Sequence, residues 1–133
     1  MGAVLRRAMV TCQQLFGSAR SGQFLGHDPY DALNSNLFQQ SPLARSRVCR
    51  LAWTQLNKKM PVSWRQVVGV PRHMNPKGLA LFLSGLADLQ RTDLPGTGRA
   101  ECLELARLLE SKIRPGYSGA CWGYPFPWQS RAF

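Results

Sequence analysis

The segment 116–131 is rich in both aromatic rings and polar side chains. Its glycines and prolines exclude a long helix, and its aromatic content is too high for an ordinary solvated loop. A sugar ring offers C–H groups to an aromatic face and hydroxyl groups to planar donors and acceptors. The candidate substrate-binding residues here are Trp122, Tyr124, Trp128, Gln129 and Arg131. The alternative is that these aromatic side chains only cap a helical core.

A second polar segment, residues 26–35, holds two carboxylates, an imidazole, a phenol and an amide. Asp28 followed by Pro29 is typical of a helix start, because Asp caps a helix and proline suits its first position. A turn that starts there brings Asp31 and Asn34 onto one side. The candidate substrate-binding residues are Asp28, Tyr30, Asp31 and Asn34. The alternative is that Asp28 only caps the turn and Asp31 is only solvated.

The composition favours one globular domain over residues 1–133. The chain is 44% hydrophobic and 18% charged, and its apolar runs are too short to span a bilayer. The N-terminus lacks the long apolar region of a secretory signal, so we expect a cytoplasmic protein. The four cysteines form no C-x-x-C pair and His27 lies in no metal-ligand spacing, so we predict reduced, mostly buried thiols and no metal or cofactor.

The net charge of +10 raises the question of nucleic-acid binding. The basic residues are scattered along the chain, and no nucleic-acid-binding motif accompanies them. We therefore predict no nucleic-acid partner. A solvated basic face, or attraction of anionic substrates, is the preferred interpretation.

Apolar periodicity predicts four long helices and no strand. They lie near residues 3–16, 43–59, 76–91 and 98–113, with a shorter helical piece at 62–68. The predicted apolar stripes of the first two are Val4, Ala8, Cys12 and Leu15, and then Val48, Leu51, Ala52, Gln55 and Leu56. The third helix is apolar around most of its circumference, so we expect it to be an inner element. The fold class predicted is all-α, built from antiparallel helical hairpins.

Several motifs of the chain resemble a known family. They are residues 26–35, 51–56, 69–71 and 75–79, together with the Gly-Tyr-Ser-Gly and Cys-Trp-Gly-Tyr-Pro-Phe runs near the C-terminus. From Gly26 onward they look like the N-terminal part of bacterial six-hairpin (α/α)6-toroid proteins associated with polysaccharide biosynthesis. Two positions depart from that pattern. Pro127 stands where relatives commonly carry an acidic residue, and His27 stands where an aromatic residue is usual.

The resemblance implies a partial (α/α)6 toroid, with this chain as the N-terminal fragment of a larger one. Toroids of this shape host glycosidases, lyases and epimerases, so the implied partner is a carbohydrate or glycan without a defined reaction. Arg131 is then a candidate for holding a uronate or phosphate group. We assign no catalytic residue. The alternative function is a small basic helical protein-interaction module, whose aromatic tail docks an acidic partner.

Overall fold

A computed structural model describes residues 2–91 and 98–127, which are mostly helical. The predicted all-α class is confirmed. These residues form two compact units, one from residues up to Leu25 with 74–123, and one from 26–73 with the residues after Gly123. The assignment of residues 1–133 to a single domain stays a prediction. No helix within the described ranges has the length and apolar character needed to cross a membrane.

The helices are short to medium in length. They are α1 Ala3–Ser21, α2 Asn36–Gln39, α3 Arg47–Lys59, α4 Val62–Val67, α5 Pro76–Gln90 and α6 Arg99–Glu110, with 3-10 turns at Asp31–Asn34 and Pro42–Arg45. Two strands that the sequence did not predict, β1 Leu25–Gly26 and β2 His73–Met74, pair in a two-stranded sheet. Each contains two residues, too few for the alternating pattern that indicates a strand.

Two predicted helix boundaries were wrong. Helix α1 continues through Gly17 to Ser21 and is followed by Gly22 as its C-cap, since one internal glycine costs only about 1 kcal/mol. The helix predicted over 43–59 is divided at Ser46, whose side chain accepts from the N–H of Cys49 and so caps α3. Serine at this position starts a new helix because it satisfies a backbone donor that has no partner within the helix.

The first unit has a core of Leu79, Leu86 and Leu105, where α5 packs on α6. Phe16, Phe24 and Phe82 meet beside it, with ring centroids 5.8–6.3 Å apart. Helix α1 therefore reaches this core through Phe16. Its predicted stripe is exposed instead: Val4, Ala8, Cys12 and Leu15 all face solvent. The four cysteines are free, as predicted, but Cys12 is exposed and the others are only half-buried.

Helix α5 is less enclosed than its composition indicates. Leu79 and Leu86 are buried, whereas Leu81, on another face, is 65% exposed. One side of α5 packs on α6 and the phenylalanine cluster. The helix is thus buried on one side and keeps apolar surface on another.

The second unit is built around the turn Asp31–Asn34. Ala32 and Leu33 of this turn are buried, as are Phe38, Val68 and Val70. Trp53 of α3 stacks on Phe38, with ring centroids 5.1 Å apart, and its indole N–H donates to the carbonyl of Ala32 over 3.0 Å. The tryptophan therefore fixes α3 against the turn.

Helix α4 is joined to the same turn through its C-terminal end. Gly69 adopts a left-handed conformation with φ +68°, which favours glycine. Its carbonyl accepts from the N–H of Asn36, and the Ser35 hydroxyl donates to the carbonyl of Val68. These bonds hold residues 68–69 beside the start of α2.

Candidate functional site

The polar segment 26–35 folds into two linked turns. The carboxylate of Asp28 accepts from the N–H of Tyr30, and the N–H of Asp28 donates to the carboxylate of Asp31, both over 2.9 Å. The 3-10 helix begins at Asp31 rather than at Pro29. Asp28 therefore closes a turn with its side chain before the helix starts, instead of capping that helix.

Asp31 lies in a buried ion pair. Its exposed fraction is 1%, and one carboxylate oxygen lies 3.0 Å from Nε of Arg65, a residue that is 4% exposed. The Nδ1 atom of His27 lies 3.4 Å from the other oxygen. A carboxylate enclosed in this way neutralises Arg65 and orients the turn. It offers little access to a ligand arriving from solvent.

The imidazole of His27 is nearly as enclosed as the Asp31 carboxylate, with a side chain 5% exposed. Neither of its ring nitrogens has a hydrogen-bond partner within the described residues. The contact with Asp31 is therefore one of proximity, without a hydrogen bond. His27 therefore lies beside the buried ion pair of Asp31 and Arg65.

Asn34 joins the polar turn to the aromatic segment. Its side-chain nitrogen donates to the carbonyl of Pro125 over 3.1 Å and lies 3.0 Å from Nε2 of His73. The two N–H groups of one amide can serve both neighbours. Asn34 and Pro125, 91 residues apart in sequence, are thereby held in direct contact.

Tyr124 and Phe126 flank that carbonyl and stack on each other. Their ring centroids are 5.0 Å apart with an interplanar angle of 28°. Phe126 is 8% exposed, whereas Tyr124 is 45% exposed. Tyr124 therefore presents part of its surface to solvent while Phe126 supports it from the core side.

Tyr30 is paired with Lys58 of α3. The Lys58 ammonium donates to the Tyr30 hydroxyl over 2.8 Å and lies 4.7 Å from the centroid of the same ring. Sequence reasoning included Tyr30 and missed Lys58, as it missed Arg65. The available signal for Arg65 was a lone charged residue within the apolar run 62–68.

Trp122 lies in the first unit, where its indole N–H donates to the carbonyl of Leu109 over 2.7 Å at the end of α6. The preceding loop is closed by a bond from the N–H of Arg114 to the carbonyl of Cys121. Trp122 is 42% exposed. The remaining predicted site residues, Trp128, Gln129 and Arg131, lie outside the described residues.

Within ranges 2–91 and 98–127, no group of three His, Cys, Asp or Glu side chains is arranged to hold a metal ion.

The chain matches no protein-family model, no curated protein and no solved structure. The candidate site therefore rests on the geometry of the second unit: a buried ion pair, a polar turn and a half-exposed aromatic ring.

Proposed function

We propose that the second unit binds carbohydrate, with Tyr124 as the stacking surface and the turn at residues 28–34 as the source of polar contacts. The observation that carries the proposal is the bond from Asn34 to the carbonyl of Pro125. It joins the two segments whose chemistry suits a sugar. The wider context we propose is a cytoplasmic protein of polysaccharide metabolism whose helices form the hairpins of an (α/α)6 toroid.

Each polar residue takes a defined part in this proposal. The Asn34 amide uses its N–H groups on Pro125 and His73, so its side-chain oxygen is the atom expected to accept from a sugar hydroxyl. The hydroxyl of Tyr30 and the carboxylate of Asp28 lie on the same turn and supply further contacts. Asp31 supports the turn through Arg65. Contributions from Trp122, Trp128, Gln129 and Arg131 stay predictions from the sequence.

The chemistry of the unit favours binding over hydrolysis. Glycoside hydrolysis commonly uses two carboxyl groups placed on either side of the bond that breaks. The second unit contains only Asp28 and Asp31 as acidic residues, and Asp31 is held by Arg65. That pair of carboxylates is therefore not available to a sugar from both sides, and we assign no catalytic residue.

The test compares two tyrosine variants on a glycan array that contains neutral and uronate-bearing oligosaccharides. Tyr124→Ala removes the proposed stacking surface and is expected to weaken binding about tenfold, given the usual strength of aromatic contacts. Tyr117→Ala is the matched control. Tyr117 is 66% exposed in the loop of the first unit, so its loss should leave binding unchanged.

Absence of glycan binding by the intact chain would contradict the proposal. Equal binding by the Tyr124→Ala variant and the parent chain would also contradict it, because the stacking surface would then be irrelevant. Far-ultraviolet circular dichroism of both variants checks that the fold is retained.

A further inference from the structure

Helix α3 turns two polar side chains inward, together with Trp53, which stacks on Phe38. Thr54 and Asn57 are buried, and each donates a side-chain hydrogen bond within the helix. The Thr54 hydroxyl donates to the carbonyl of Arg50, and the Asn57 amide donates to the carbonyl of Trp53. Such bonds make it possible to bury polar side chains with few partners outside the helix. The opposite side of α3 is consequently the one that faces solvent.

That solvent side is the apolar side of the helix. Val48 is 74% exposed and Leu56 51% exposed, and the small residue Ala52 lies exposed between them. Residues four apart share a helix face, so the three form one ridge. We call the surface made by Val48, Ala52, Gln55, Leu56 and Lys59 the α3 stripe. Its apolar residues recur every four positions, which is a spacing found where two helices pack together.

The stretch of chain that contains α3 carries charge of one sign. The sequence has no Asp or Glu between Asp31 and Asp88, and Asp31 is buried against Arg65. The basic residues of this interval are Arg45, Arg47, Arg50, Lys58, Lys59, Arg65, Arg72 and Lys77. Lys59 lies on the stripe itself and is exposed, as is Arg45 just before α3. Any surface that covers the stripe is therefore brought close to positive charge.

We propose that the α3 stripe docks an amphipathic helix of a partner protein, whose apolar face is flanked by Asp and Glu. The ridge of Val48, Ala52 and Leu56 supplies the apolar contact, and the small side chain of Ala52 allows close approach of the two backbones. Acidic flanks complement the basic surroundings and speed the encounter of the two proteins. This inference is independent of the proposed carbohydrate binding, which uses none of the residues of the α3 stripe.

Charge and side-chain type favour this occupant over two others. A second copy of the chain would bring another net charge of +10 against the first. A membrane surface is favoured by helices with bulky aromatic residues on the apolar face, whereas the one aromatic residue of α3, Trp53, is turned inward against Phe38. An amphipathic helix with acidic flanks complements both the apolar ridge and the positive charge around it.

The test uses the full chain and two synthetic helical peptides of about twenty residues, long enough to form a stable helix. Both carry leucines at four-residue spacing. One is flanked by Glu and the other by Lys. Fluorescence anisotropy should show binding of the Glu peptide that weakens with added salt, and no binding of the Lys peptide.

The variant that decides the test is Val48→Gln combined with Leu56→Gln, which removes the apolar ridge without changing charge. It is expected to weaken binding of the Glu peptide at least tenfold, an estimate based on the usual contribution of buried Val and Leu side chains. Leu81→Gln is the matched control, since Leu81 is 65% exposed on α5 of the first unit. It should leave binding unchanged.

Four results would overturn the proposal. Equal binding of the Glu and Lys peptides excludes charge selection, and equal loss with Leu81→Gln excludes the α3 stripe as the site. The stripe is assigned to a membrane instead if the chain binds vesicles that contain anionic lipid, and if the double variant loses this binding but still binds the peptide. A dimer at about 0.1 M salt that the double variant abolishes assigns it to a second copy.

Discussion

Asp31 closes a turn and holds a buried cation at the same time. Its two oxygens are divided between Nε of Arg65 and the N–H of Asp28, with His27 close by. An ionised group taken out of water loses its hydration, so such a pair is retained only where both partners are present. Removal of one partner leaves the other charged and without its counterion inside the unit.

Asp31→Asn is therefore expected to destabilise the fold strongly. The remaining guanidinium of Arg65 lies buried without its countercharge, which costs about 3–5 kcal/mol in the free energy of unfolding. Urea denaturation followed by circular dichroism measures the change. Asp88→Asn is the matched control, because Asp88 and Arg91 form an ion pair whose side chains are 76% and 84% exposed. Such surface pairs contribute little, and a comparable loss in both variants would contradict the structural role of Asp31.

The sequence predicted several site residues but not the residues that they contact. Asp28, Asp31 and Asn34 were identified from their types and spacing, and they do fold into connected turns. Arg65 and Lys58 were missed because they lie 34 and 28 residues from the groups they contact. No local pattern records such a pairing. It depends on how α3 and α4 pack.

Two serines start two helices in different surroundings. Ser35 is fully buried, accepts from the N–H of Phe38 at the start of α2 and donates to the carbonyl of Val68. Ser46 is exposed and accepts only a longer bond, 3.4 Å, from the N–H of Cys49 at the start of α3. Both serines thus cap a helix, but only Ser35 is also seen to donate a second, buried hydrogen bond.

Replacement of each serine by alanine is expected to separate these roles. Ser46→Ala removes a surface cap and should lower the free energy of unfolding by about 0.5–1 kcal/mol. Ser35→Ala also leaves the Val68 carbonyl without its hydroxyl donor, so the expected loss is about 2–3 kcal/mol. Chemical denaturation of the two variants in parallel gives the comparison. A larger loss for Ser46→Ala than for Ser35→Ala would contradict this account.

The positions of the helices follow from the sequence more closely than their faces do. The Asn75-Pro76 pair placed the start of α5 at Pro76, and Pro61 placed the end of α3 at Lys59. The inward face of α3 was predicted to be Val48 and Leu56, and it is Thr54 and Asn57. Periodicity finds the apolar side of a helix. It identifies the buried side only when the apolar side is also the one that packs.

The protein combines strong positive charge with much exposed apolar surface. The net charge is +10. Large apolar side chains are more than half exposed at Val4, Leu15, Leu37, Leu43, Val62, Val67 and Leu81, in addition to those of the α3 stripe. Repulsion between like-charged copies opposes association, while exposed apolar surface favours it. The balance between the two depends on salt.

We therefore expect the chain to be monomeric at about 0.01 M NaCl and to self-associate at about 1 M NaCl. The distance over which charges act falls from about 30 Å to about 3 Å between these concentrations, so repulsion is removed while apolar attraction remains. Sedimentation velocity at both concentrations measures the shift. Because the exposed apolar residues are spread over both units, the Val48→Gln, Leu56→Gln double variant should associate almost as readily as the parent chain. A monomer at both concentrations would contradict this prediction, and so would an assembly that dissociates as salt is raised.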